Sequence, residues 1–255
     1  MMDNKELKEF LDEKADYYQS RWFIDDDPVQ IPHLFQEKED IEISGFITAI
    51  LSWGKRSMIL SKCKELMQRM EMAPSDFVRN ASDREFDRLA GFVYRTFNEV
   101  DARYFLKALH EIYVQYGGLE KVFSVGLTDN NGIVDAIAYF REVFLSFGPA
   151  TRTGKHIANV RKNASAKRIN MFLRWMVRCH SPVDFGLWSS ISPAHLLIPL
   201  DIHVGRVARA LGLLTRRAND MKSVLELTGR LKEYRPHDPV FYDYALFGLG
   251  VYEKF

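Results

Sequence analysis

Along most of this chain, apolar residues return at three- and four-residue intervals, the period that places them on one face of an α-helix. Such stripes include Leu7, Phe10 and Leu11 with Lys14, the run Ile43 to Leu51, the series Ile59, Cys63, Leu66, Met67, Met70, and the segment Tyr104 to Tyr116. The last of these stops at Gly117-Gly118, a strong helix terminator. Alternating Val/Ile/Thr runs between turns, the mark of strands, are nearly absent. The expectation is an all-α fold of helices joined by short loops. With 255 residues, 47% of them hydrophobic, the chain can bury a sizeable core. No repeat, low-complexity tract or Gly/Ser linker divides it, so residues 1–255 are expected to form a single compact unit.

Two cysteines, Cys63 and Cys179, are too few for a disulfide framework, a four-cysteine zinc site or a cubane cluster, and they point to a reducing compartment. The N-terminal MMDNKELKEFLDEKADYY alternates charges where a signal peptide needs an apolar run. No stretch approaches the roughly 18 apolar residues of a membrane span. The expected location is therefore the cytoplasm, away from any membrane, and the apolar content fits a monomer. Net charge is only +1, but it is unevenly distributed. Residues 1–40 hold five Lys and Arg against twelve Asp and Glu, a net of −7, whereas residues 151–217 hold twelve against two, a net of +10. The basic segment is either a solvated face or a polyanion footprint, and the second requires the charges to converge in space.

Asp25-Asp26-Asp27-Pro28 and Pro32 mark a loop after the N-terminal helix. The loop from Gly148 to Asn163 is basic, and Ser165 is a fair N-cap for a helix with the stripe Ile169, Phe172, Leu173, Met176 and Val177. Lys167 falls in the first turn of that helix, where the positive helix end disfavours a cation and suits an amine that must be neutral to attack carbon. Three prolines and Gly186 in HSPVDFGLWSSISPAHLLIPLD forbid a long helix. Asp201 then reads as the N-cap of a helix with the stripe Val204, Val207, Ala208, Leu211, ended by Gly212; as a bare cap it needs no further role. A helix around Val224 to Leu231 breaks at Pro236, and Asp238-Pro239 restarts the chain as N-cap and N1. His237-Asp238 is half of a metal-hydrolase signature without a partner at helical spacing; capping explains it, and no metal is assigned.

The stretch IPLDIHVGRVARALGL, residues 198–213, resembles the segment of helix-hairpin-helix DNA glycosylases in which an aspartate, followed by a His-Val pair and an arginine, opens a helix at the active-site cleft. The stretches EISGFITAILSWGKR, FVYRTF, AKRINMFLRWMVR and PHDPVFYDYALFGLG extend the likeness from about Pro28 to Gly250, to an uncharacterised bacterial family assigned to that superfamily. The 34 positions from Lys167 to Asp201 resemble the layout of the archaeal 8-oxoguanine DNA glycosylases. The resemblance implies two helical lobes with a cleft between them. Lobe one would span about 42–197, a helical barrel with the hairpin near 160–168; lobe two would combine about 1–41 with 198–255.

It also implies roles. Lys167 and Asp201 would be the catalytic pair of a base-excision glycosylase with AP lyase activity, requiring no cofactor and acting on double-stranded DNA that carries a lesion, in the bacterial nucleoid. Lys55, Arg56, Lys162, Asn163, Ser165, Arg168 and Arg206 would contact DNA, with His203 in support. Trp53, Trp175 and Trp188 are candidates to stack on a base, or, as aromatics at helix ends and beside buried stripes, to pack in the core. The sequence departs from the superfamily at the hairpin, whose Leu-Pro-Gly-x-Gly type turn is here Lys162-Asn163-Ala164-Ser165-Ala166-Lys167, without glycine. The missing glycines favour an alternative, a catalytically inactive helical DNA- or RNA-binding protein; a metal-dependent nucleotide hydrolase is a third reading. Oxidised purines such as 8-oxoguanine are the expected class of excised base.

Overall fold

The structure, a computed structural model, describes residues 3–127, 132–149 and 152–255; Met1 and Met2 of the acidic N-terminal segment, and Ala150 and Thr151 of the basic loop, lie outside the described residues. Helices dominate it: α1 (Asn4–Tyr18), α2 (Arg21–Asp26), α3 (Lys38–Leu51), α4 (Arg56–Arg69), α5 (Pro74–Asn80), α6 (Glu99–Tyr116), α7 (Leu119–Gly126), α8 (Ile133–Ser146), α9 (Lys167–Val177), α10 (Ile202–Ala210), α11 (Met221–Tyr234) and α12 (Asp243–Val251). Among the described residues the chain is all-α apart from one antiparallel hairpin, β1 (Val93–Tyr94) and β2 (Phe97–Asn98), paired Val93 with Asn98 and Tyr94 with Phe97. Short as it is, the hairpin leaves little alternation to read. Among the described residues no helix is long and apolar enough to cross a membrane.

By its contacts the chain divides into two compact units, Met1–Asp25 with Asn159–Phe255, and Asp26–Ala158. The expected lobe boundaries at 41/42 and 197/198 do not coincide with these. Residues 159–197 group with 198–255 because α9 and the turn before it tie to later segments: Ala164 bridges to Asp220, and Arg174 and Arg178 reach Asp243 and Asp238.

In the unit 26–158, four helices contribute rings to one aromatic core. Phe46 of α3 stacks on Phe105 of α6 at 5.9 Å, and Phe123 of α7 stacks on Phe140 of α8 at 4.5 Å. Burying such rings, at 1.5–3 kcal/mol each as an order of magnitude, is what holds these helices together. Helix α6 starts earlier than its apolar stripe, because Asn98 and Asp101 form a capping box, and it ends where Gly117 turns left-handed at φ 81°.

In the other unit, α1 and α10 both pack on α12. Leu7, Leu11, Ala15 and Tyr18 form the buried stripe of α1. Gly248 lets Tyr18 approach, since a Cβ there would lie 2.2 Å from a Tyr18 ring carbon. Helix α10 follows expectation, capped by Asp201 and followed by Gly212 at φ 74°.

Candidate functional site

The unit built from Met1–Asp25 and Asn159–Phe255 brings the two proposed catalytic residues together. Helix α9 opens with Lys167, and its N-cap is Ala166 in a left-handed conformation (φ 50°), without a side-chain cap; Ser165, the expected cap, instead receives the Asn170 amide on its carbonyl (3.1 Å). Asn163 is also left-handed (φ 62°), so the turn exists without glycine. Its side chain is committed to α11: Nδ2 donates to Asp220 Oδ2 at 3.0 Å and Oδ1 accepts from the Lys222 amide at 3.3 Å. The N–H groups of Lys162, Asn163 and Ala164 donate to the carbonyls of Asn159 and Val160. Asn163 therefore builds the turn with its side chain, while Lys162 is exposed.

Asp201 caps α10 through one oxygen alone. Its Oδ1 accepts from the amides of His203 (2.8 Å) and Val204 (2.9 Å), leaving Oδ2 to face Lys167, whose Nζ is 3.9 Å away. That separation exceeds hydrogen-bond reach, so the pair interacts as charges without a shared proton. Both side chains keep access to solvent, 25% exposed for Lys167 and 19% for Asp201. The cap and the chemistry expected of Asp201 are thus compatible, because they use different oxygens.

A second carboxylate borders the pair, one that sequence reasoning missed. Asp243, the first residue of α12, is buried; its Oδ2 pairs with Arg174, and its Oδ1 has no hydrogen-bond partner. Burial pushes its carboxyl up to about 6, against the pull of the Arg174 cation; the Asp201 charge pushes it further, and the Lys167 cation draws it back. Arg174, itself buried, also donates from Nε to Asp184 at 3.2 Å and lies 4.3 Å over the Tyr244 ring. One turn on, buried Arg178 pairs with Asp184 and takes both oxygens of Asp238 (2.9 and 3.0 Å). Burial opposes that charge, but Asp184 and Asp238 outweigh it and raise the Arg178 pKa. A signal for this lattice was present: cations at 167, 174 and 178 are seven and four residues apart, which aligns them on one face of α9.

Other expected residues fall elsewhere. Trp175 (0% exposed) and Trp188 (2%) are core, Trp188 edge-on to Phe172 at 5.4 Å, so neither presents a face to a base. Arg206 donates to the Gly250 carbonyl at 2.7 Å, His203 packs against Gly250 with an unpartnered Nδ1, and burial presses half-buried Arg168 down to about 10. Asp238 and Pro239 take the N-cap and first positions of a short 3-10 turn as expected, but the Asp238 side chain makes no cap bond, since Arg178 holds its carboxylate, and His237 is exposed. Among the described residues no group of three His, Cys, Asp or Glu converges as a metal would need. Much of the basic segment is likewise paired: Arg216 with Asp220, Arg209 with the Arg216 carbonyl and Asn219, Arg152 with Asp101. Counting charge only to residue 217 omitted the aspartates at 220, 238 and 243 that answer it.

In the unit 26–158, half-buried Trp53 carries the Arg95 guanidinium 4.5 Å over its ring and accepts the Tyr94 hydroxyl on its carbonyl (2.5 Å). Gly54, at φ 113°, makes room, since a Cβ there would lie 2.5 Å from the Arg95 Nη1. Lys55, exposed, and Arg56, half-buried, begin α4 beside them.

Residues 27–252 match a family described as protein of unknown function, DUF2400. The chain belongs to that family. The matched stretch includes Lys167, Asp201, Asp243 and the whole α9 lattice. No curated protein and no solved structure matches the chain.

Proposed function

We propose that this member of DUF2400 is a DNA glycosylase with AP lyase activity, of helix-hairpin-helix type, acting on lesion-bearing duplex DNA in the cytoplasm and nucleoid, as a monomer. The observation that supports it is the Lys167–Asp201 pair, 3.9 Å apart, partly exposed, with one Asp201 oxygen free of its capping duty. In this reading the neutral Lys167 amine attacks C1′ of the flipped nucleotide; the C1′–N bond breaks, its electron pair leaves with the base, and the base takes up a proton. The amine nitrogen loses a proton, the sugar ring opens, and an imine joins Lys167 to C1′. Removal of a C2′ proton then expels the 3′ phosphate. Asp201 stabilises the positive charge that develops on the sugar and relays the protons. Trp53 with Arg95, and Lys55 with Arg56, supply a basic aromatic surface for the strand. Oxidised purines are the proposed class of excised base.

Incubation with abasic-site DNA and borohydride reduces the imine, so a covalent protein–DNA adduct is expected, abolished by Lys167→Ala. An undiminished adduct in that variant refutes the assignment.

One observation favours a second reading, an inactive nucleic-acid binder. The hairpin amides at Lys162 to Ala164 are engaged internally and cannot close on a phosphate. Salt-dependent DNA binding without any adduct would select it.

A further inference from the structure

At one end of α1, four aromatic rings line a cavity of about 560 Å³ together with Glu13, Lys14 and Glu253. Tyr18 stacks on Tyr252 (5.7 Å, 15°), and Trp22 leans against Tyr17 (5.8 Å), Tyr18 (5.9 Å) and Tyr252 (5.6 Å). These rings are not all consumed by the core: Tyr17 is 62% exposed and Trp22 40%. The volume lies in the range of small-molecule sites, and large exposed rings gathered in one place call for an occupant.

The polar groups of the cavity indicate its sign. Glu253 Oε1 accepts from both Lys14 Nζ and the Tyr18 hydroxyl, each at 2.7 Å, so the one ammonium present is already matched. Among the described residues Glu13 forms no ion pair, and the Tyr252 hydroxyl is buried without a hydrogen-bond partner. What remains is a surplus carboxylate, an unused hydroxyl and the negative faces of aromatic rings, on the segment 1–25, which holds seven Asp and Glu against four Lys and Arg. A phosphate or nucleic acid is repelled there. A cation with N–H donors fits, and a planar guanidinium fits best, one face on a ring and its N–H edge on a carboxylate.

We propose that this cavity binds an organic cation bearing N–H groups, foremost a guanidinium, which lies against Trp22 and Tyr17 and takes Glu13 as its counter-ion. All lining residues except Tyr252 fall outside the stretch 27–252 that matches the family, and none of them belongs to the Lys167 site.

The test is calorimetry on the full chain with arginine amide and with citrulline amide, which differs only in an uncharged side-chain head of nearly the same shape. Saturable binding of arginine amide, about tenfold tighter than citrulline amide, is expected. Glu13→Gln, a change at an exposed side chain, should weaken it by about fivefold with an unchanged thermal transition. Trp22→Leu should weaken it as well. Equal binding of the two amides, no binding of either, or wild-type affinity in both variants overturns the proposal. Free arginine and an N-acetylated arginine peptide distinguish the source: tighter binding of the peptide assigns a protein side chain, tighter binding of the free amino acid a soluble metabolite, and either result upholds the cationic site.

Discussion

Helix α9 carries two kinds of Lys/Arg–Asp pair on one face, and they differ in nearly everything but composition. At its open end Lys167 and Asp201 stand 3.9 Å apart, partly solvated and joined by no hydrogen bond. Further along, Arg174 and Arg178 are buried, and each guanidinium is bound to two aspartates. The second arrangement fixes structure, since each guanidinium is buried and matched by two carboxylates. The first stays open, because its amine is held in place by no direct bond and both side chains keep access to solvent. Asp243 joins the two, paired with Arg174 on one side and feeling the Lys167 and Asp201 charges on the other.

Three measurements break or sharpen that contrast. The largest effect belongs to the buried end. Arg174→Ala strands Asp243 without its counter-ion and should cost about 3–5 kcal/mol in urea unfolding. A loss below about 1 kcal/mol would mean that the lattice is solvated and the contrast false. Next comes the junction. Asp243 sits at about 6 in the folded protein, above its ordinary range near 3.8, so folding takes up a proton between these values. The stability contributed by the protonated carboxyl is complete at low pH and is lost as pH rises through 6. The stability of wild type relative to Asp243→Asn should therefore fall by on the order of 2 kcal/mol from pH 4 to pH 7; a flat difference would contradict the burial argument. Smallest is the open end. Lys167→Ala should shift the unfolding free energy by less than about 1 kcal/mol, as for an exposed pair, even though the same change removes the trapped adduct. A large destabilisation would place Lys167 with the structural cations.

Several parts of the fold could be read directly from local patterns. Asp201 as a cap, Lys167 opening a helix and Gly117 closing one all depend on neighbours within four residues, and the structure has them. Local reading failed where a local rule had competitors. Ser165 looked like the cap, but two left-handed residues, Asn163 and Ala166, set the turn and move the helix start past it. The stripe Ile169, Phe172, Leu173, Met176 and Val177 is buried as expected, while the cationic stripe on the same helix went unread because its partners lie on segments far along the chain.

Helical character, the places where most helices begin and end, and the set of residues apolar enough to be core were all legible locally, since each follows from backbone sterics and a 3.6-residue period acting over short range. Which charges meet depended on how the helices pack. That packing buried Trp175 and Trp188, consumed much of the basic segment in internal pairs, and set Asp243 beside Lys167 and Asp201. The physical reason is distance along the chain: electrostatic pairing acts through a few ångströms of space, and residues dozens of positions apart reach that range only after the helices have packed.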